Sequence, residues 1–82
     1  MVKILKLYQK IKNNPKNVSY SELRTLIEYC GYEQRPSSSG SHRWFRKKGC
    51  PPIHFPEHHP IGKNYVKDTL NILEVYCEND LV

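Results

Sequence analysis

The sequence predicts an α+β domain in which a three-stranded antiparallel sheet is covered on one face by helices. Two observations lead there. Apolar residues recur at i, i+3, i+4, i+7 near the start of the chain, again around Leu26, and again in the last segment, which is the spacing of one helical face. Between Tyr32 and Phe55 that period gives way to short extended stretches separated by serine-, glycine- and proline-rich links. The order reads α-α-β-β-β-α, and a sheet so covered has its other face open to water or to a ligand.

Each element has its own warrant. Ile4, Leu7, Tyr8 and Ile11 line one face of the first helix, with Lys3, Lys6, Lys10 and Lys12 largely off it. "NNPKN", Asn13 to Asn17, stops it through breaker chemistry. Residues 1–17 are thus expected as a helical extension ahead of a core of residues 18–82, the whole forming one domain. In "SYSELRTLIEYCG", Ser19 and Glu22 have capping-box spacing, each able to satisfy a backbone donor that a helix start leaves orphaned. Leu23, Leu26, Ile27 and Cys30 form the buried stripe, and Gly31 supplies a left-handed end. "YEQRP" reads as a short strand, Ser41 to Lys47 as a second, and "IHF" between prolines as a short or edge strand after the "KKGCPP" turn. The last helix spans roughly Lys63 to Glu78. Its inward face is expected to carry Val66, Thr69, Leu70, Leu73, Tyr76 and Cys77, with Lys67, Asp68, Asn71, Glu74 and Glu78 outward.

A chain of 82 residues buries only about 60–65% of its unfolded surface, so chemistry is expected on an open face and not in a deep cavity. The net charge is +5 with a pI near 9.2. Arg43, Arg46, Lys47 and Lys48 cluster around Trp44 and Phe45, and Lys63 and Lys67 form a second group. A basic stripe suits a polyanion, and interleaved aromatics let bases stack on it, although a basic run also serves as a plain solvated face. The three cysteines cannot all pair within one chain and form no CxxC; Cys30 and Cys77 are expected as core thiols in a reducing compartment. No apolar run approaches 18 residues and "MVKILKLYQK" is too polar for a signal segment. The expectation is a cytoplasmic protein without membrane association.

Strand alternation bears on "SSSGSHRWFRKKG". If Phe45 faces the helices, then His42, Trp44 and Arg46 share the open face, a bed for single-stranded nucleic acid; a bulge beside Gly40 leaves the reverse assignment open. Gly40 and Ser41 allow close approach of a phosphate. Histidine moves protons near neutral pH, and cleavage of RNA by its own 2′-hydroxyl needs a base, an acid and cations but no metal. His42 with Arg43, Arg46 or Lys47 has those parts, yet on composition alone a lone surface histidine is more often non-catalytic. Cys50, His54 and His58 stand four apart, with His59 adjacent, but that spacing gathers ligands only on a helix, which Pro51, Pro52 and Pro56 forbid. No metal or cofactor is expected. His58 reads either as a second acid/base or as a cap on the turn into the last helix, with Glu57 and Asp68 available to orient an imidazole.

These residues resemble the HicA toxin family, small ribonucleases of toxin–antitoxin pairs. The resemblance rests on Gly31-Tyr32 after a short helix, Gly40-Ser41-His42 at the start of a strand, Phe55-Pro56-Glu57-His58 closing the last strand, and Thr69-Leu70 in a terminal helix that begins with basic residues. It covers about Tyr20 to Glu78; the first helix, the triple serine and the added His59-Pro60 depart from it. The resemblance implies a double-stranded-RNA-binding-like fold and metal-independent cleavage of mRNA with His42 as the catalytic histidine. It also implies a HicB-like antitoxin that covers the His42 face. The RNA-binding set would then be Gly40, Ser41, Arg43, Trp44, Arg46, Lys47, Lys48, Lys63 and Lys67, with His58 as the possible second acid/base. A non-catalytic RNA-binding module and a purely protein-binding role are the alternatives.

Overall fold

Ser19 accepts a hydrogen bond from the Glu22 N–H at 3.1 Å while the Glu22 carboxylate accepts from the Ser19 N–H at 3.1 Å, the reciprocal box expected from their spacing. This fixes the start of the second helix in a computed structural model that describes residues 2–36 and 42–81. The Gly40-Ser41 pair and Ser37 to Ser39 lie outside the described residues. In chain order the elements are α1 (Val2–Asn13), α2 (Tyr20–Tyr29), β1 (Glu33–Arg35), β2 (His42–Arg46), β3 (Ile53–Pro56), α3 (Lys63–Tyr76) and a short α4 (Glu78–Leu81). The strands form one antiparallel sheet in the order β1-β2-β3.

The core lies between one face of the sheet and the helices. Phe45 of β2 stacks on Phe55 of β3 with ring centroids 5.2 Å apart, and Tyr20 of α2 meets Phe55 edge-on at 5.6 Å. Leu23, Leu26 and Ile27 from α2 and Val66, Leu70 and Leu73 from α3 are buried in the same cluster, as are Ile4 and Ile11 from α1. The N-terminal extension therefore belongs to the core. Polar ties hold it there. The Tyr8 hydroxyl donates to the Glu74 carboxylate, and the Lys12 ammonium donates to the same oxygen at 2.9 Å. Between α1 and α2, the Val18 carbonyl accepts from the Ile61 N–H at 2.8 Å, joining the two long links.

Gly31 ends α2 with φ +99°, a conformation open to glycine, and a Cβ there would stand 3.2 Å from the Lys47 side chain. Tyr32 follows, fully buried, its hydroxyl donating to the Pro51 carbonyl at 2.8 Å. Cys30 and Cys77 are buried free thiols, as expected, and burial pushes the Cys30 thiol up to about 12.

One expectation fails at the C-terminal end. Tyr76, assigned to the inward face of the last helix, is 51% exposed. It lies at the margin of the stripe, and α3 stops there: the Cys77 N–H donates to the Leu73 carbonyl at 2.8 Å, and the chain turns into α4. Cys77 and Leu81, beyond it, are the buried residues at this end.

Candidate nucleic-acid interface

The orientation of β2 follows from Phe45. Its ring is fully buried, and the register runs without a bulge from His42↔Pro56 through Arg43↔Phe55 and Trp44↔His54 to Phe45↔Ile53. Successive side chains must then alternate, placing His42, Trp44 and Arg46 together on the open face. Of the two orientations left open by the residue pattern, the first is the one adopted.

Register decides what stands beside them. Trp44 is flanked by Arg35 on β1 and His54 on β3. The Trp44 and His54 rings stack, with centroids 4.4 Å apart and planes 16° from parallel. His42, diagonal to His54, has its ring centroid 5.9 Å from it. Tyr65, in the first turn of α3, comes round the β3 edge and meets both imidazoles edge-on, at 6.3 Å from His42 and 5.8 Å from His54. Trp44 is 38% exposed, so the cluster presents an aromatic surface to solvent. Next to it a cleft of about 220 Å³ is lined by His54, Tyr65, Asp68 and Ile72, which sets one carboxylate against the same groove.

A second hollow, of about 460 Å³, opens at the other end of β2. Arg35, Arg46, Lys47 and Lys48 line it together with Glu33 and Cys50, and Gly31 and Gly49 complete its wall without side chains of their own. The Arg35 guanidinium stands 3.9 Å from the Glu33 carboxylate. An anion entering between four cationic side chains and one carboxylate meets a net positive field.

The other expected contacts are distributed differently. Lys47 points the opposite way from Arg46. Its ammonium donates to the Cys30 carbonyl at 2.7 Å and lies 3.4 Å from the Asp80 carboxylate and 3.5 Å from the Cys77 sulfur, bracing the sheet against α2 and α4. Arg43 shares the inward side and pairs with Glu57 at 2.9 Å, which engages the carboxylate considered for orienting an imidazole. Lys67 lines a groove with Lys12, Pro15 and Glu74, on the α1 side of α3, and Lys63 lies four residues before it on the same helical line. His58 is exposed in the link between β3 and α3, whereas the imidazole at 5.9 Å from His42 is that of His54. Among the described residues, no three of His, Cys, Asp and Glu are grouped to hold a metal ion.

His54, Tyr65 and Arg35 are the members of this face that reading the sequence missed. The alternation in Ile53-His54-Phe55 turned His54 outward, but only the register sets it against Trp44. Taken together, the molecule is a small α+β domain whose open sheet face joins two histidines and stacked aromatic surface to a cationic hollow. No family model, curated relative or solved structure matches the chain. No helix among the described residues is long and apolar enough to cross a membrane.

Proposed function

We propose that this chain is a HicA-type toxin: a metal-independent endoribonuclease that binds single-stranded mRNA on its open sheet face and cuts it with His42 as acid/base. The observation that carries the proposal is the placement of His42 beside the Trp44–His54 stack, on the same strand face as Arg46. A base stacks on exposed aromatic surface, a contact of about 1–3 kcal/mol, while the hollow of Arg35, Arg46 and Lys48 takes the backbone phosphates. The imidazole then lies where a proton can be taken from a 2′-hydroxyl. That oxygen attacks phosphorus, the 5′-oxygen departs with a proton, and the products are a 2′,3′-cyclic phosphate and a 5′-hydroxyl end. Helices on one side of a three-stranded antiparallel sheet agree with a double-stranded-RNA-binding-like fold, although the exposed aromatic surface suits unpaired bases better than a duplex. In this reading the partner that restrains the enzyme is a HicB-like antitoxin whose acidic surface covers His42 and the cationic hollow, and the setting is the cytoplasm.

The test is cleavage of an end-labelled, unstructured RNA in EDTA by the purified chain and by His42→Ala. General acid–base chemistry from one side chain is worth about 10²- to 10⁴-fold, so the variant should lose that much rate while still binding RNA. Cleavage by the variant at the original rate removes the catalytic assignment. Binding without cleavage by either protein leaves the RNA-docking module that the same stack and hollow also support.

A further inference from the structure

Cleavage through a 2′-hydroxyl moves two protons, one off the nucleophile and one onto the leaving 5′-oxygen, and the two oxygens lie on opposite sides of the phosphorus. A single histidine serves both only by shuttling. The open face holds two. We infer that His54, in addition to His42, is a catalytic residue: His42 takes the 2′-hydroxyl proton and His54 delivers one to the departing 5′-oxygen. The inference rests on the ribonuclease reading above and assigns its missing acid.

The two ring centroids are 5.9 Å apart on one side of the sheet, so one phosphate resting above them is within reach of a nitrogen from each ring. Neither ring is placed by chance. His54 occupies the non-core position of β3 between buried Ile53 and Phe55, which fixes its direction. Tyr65 meets both rings edge-on at 5.8 and 6.3 Å and spaces them from the α3 side. Trp44 covers one face of His54 at 4.4 Å. The stack fixes the plane of the His54 ring, and with His42 already assigned the 2′-hydroxyl proton, His54 is the ring left to serve the 5′-oxygen. The step balances without a co-reactant. The O2′–P bond forms, the P–O5′ bond breaks, one proton passes to His42 and one leaves His54, and water restores both protonation states.

The discriminating substrate is an RNA oligonucleotide with a sulfur in place of the 5′-bridging oxygen at the cut site, since a thiolate departs without being protonated. Its cleavage is compared with that of the all-oxygen RNA for the wild-type chain, His42→Ala and His54→Ala, in EDTA. His54 is exposed, so its truncation leaves the core intact, and circular dichroism with a melting curve checks this. His54→Ala should lose about 10²- to 10⁴-fold on oxygen RNA and return to within a few-fold of wild type on the sulfur substrate, while His42→Ala stays slow on both. Loss by His54→Ala of equal size on both substrates, or oxygen RNA cut within a few-fold of wild type, overturns the assignment and leaves His42 as the sole proton carrier. Wild-type protein inactive on both substrates removes the ribonuclease reading and this inference with it.

Discussion

On one side of β2 and the residue after it, Arg43, Phe45 and Lys47 are each engaged by the rest of the fold. Arg43 pairs with Glu57, Phe45 is stacked on Phe55, and Lys47 donates to the Cys30 carbonyl. On the other side, His42, Trp44 and Arg46 meet neighbours from their own face, chiefly His54 and Tyr65, and turn toward solvent. Six consecutive residues thus divide strictly by parity between holding the domain together and presenting a surface. A basic run is therefore not one electrostatic feature. Arg46 and Lys47 are adjacent, alike in charge and both border the hollow, yet the Lys47 ammonium is engaged by the Cys30 carbonyl and Asp80.

The sharpest way to break this contrast is to substitute along the strand. Phe45→Ala should cost about 3–5 kcal/mol in denaturant unfolding, through lost burial and the cavity it leaves. Lys47→Ala should cost about 1–3 kcal/mol, because a partly buried carbonyl loses a charged donor. Arg46→Ala, by contrast, should fall within about 0.5 kcal/mol of wild type. Equal destabilisation by Arg46→Ala and Lys47→Ala contradicts the division by faces.

A second prediction concerns α2, which supports the sheet without touching the open face. The Lys10 ammonium, helped by the Ser19 backbone N–H, holds the Glu22 carboxyl below its ordinary value. A carboxyl depressed in the folded state binds fewer protons there than in the unfolded chain. Its stabilisation is thus fully present above the unfolded glutamate value of about 4.3 and is lost as pH falls through the folded one. Glu22→Ala should cost about 1 kcal/mol at pH 7 and progressively less below pH 4.5, read from unfolding at both ends of that window. A cost independent of pH would detach the capping box from the charge.

The smallest effect expected is on salt dependence. Removing one phosphate contact by Arg46→Ala should reduce the slope of log K against log salt for single-stranded RNA by about 0.7, while Lys47→Ala leaves the slope unchanged. Anisotropy titrations at several salt concentrations measure both.

What could be read from the sequence was what is local to it. The capping box, the Leu23–Cys30 stripe and the Gly31 end are set by residues within a few positions of one another, and each is found as expected. Parity along β2 was legible only as one of two orientations, and the bulge-free register with β3 selects the one that buries Phe45. Three parts were not. Tyr65 and His54 meet across eleven residues and two elements, a contact that alternation and helical period do not encode. Lys47 was grouped with its cationic neighbours by charge, while its direction follows from parity and its partners come from α2 and α4. Tyr76 was assigned inward from its place at the margin of the apolar stripe, while burial at that end falls to Cys77 and to Leu81 of α4.

RNA bound as proposed would lie on the face that carries Trp44. The chain has one tryptophan, so its fluorescence reports on that face alone. Titration with an unstructured RNA oligonucleotide should quench Trp44 emission with the same midpoint as the rise in anisotropy of labelled RNA, and more strongly than a duplex of the same length does. RNA that binds by anisotropy while leaving Trp44 emission unchanged would place the nucleic acid elsewhere and contradict the account.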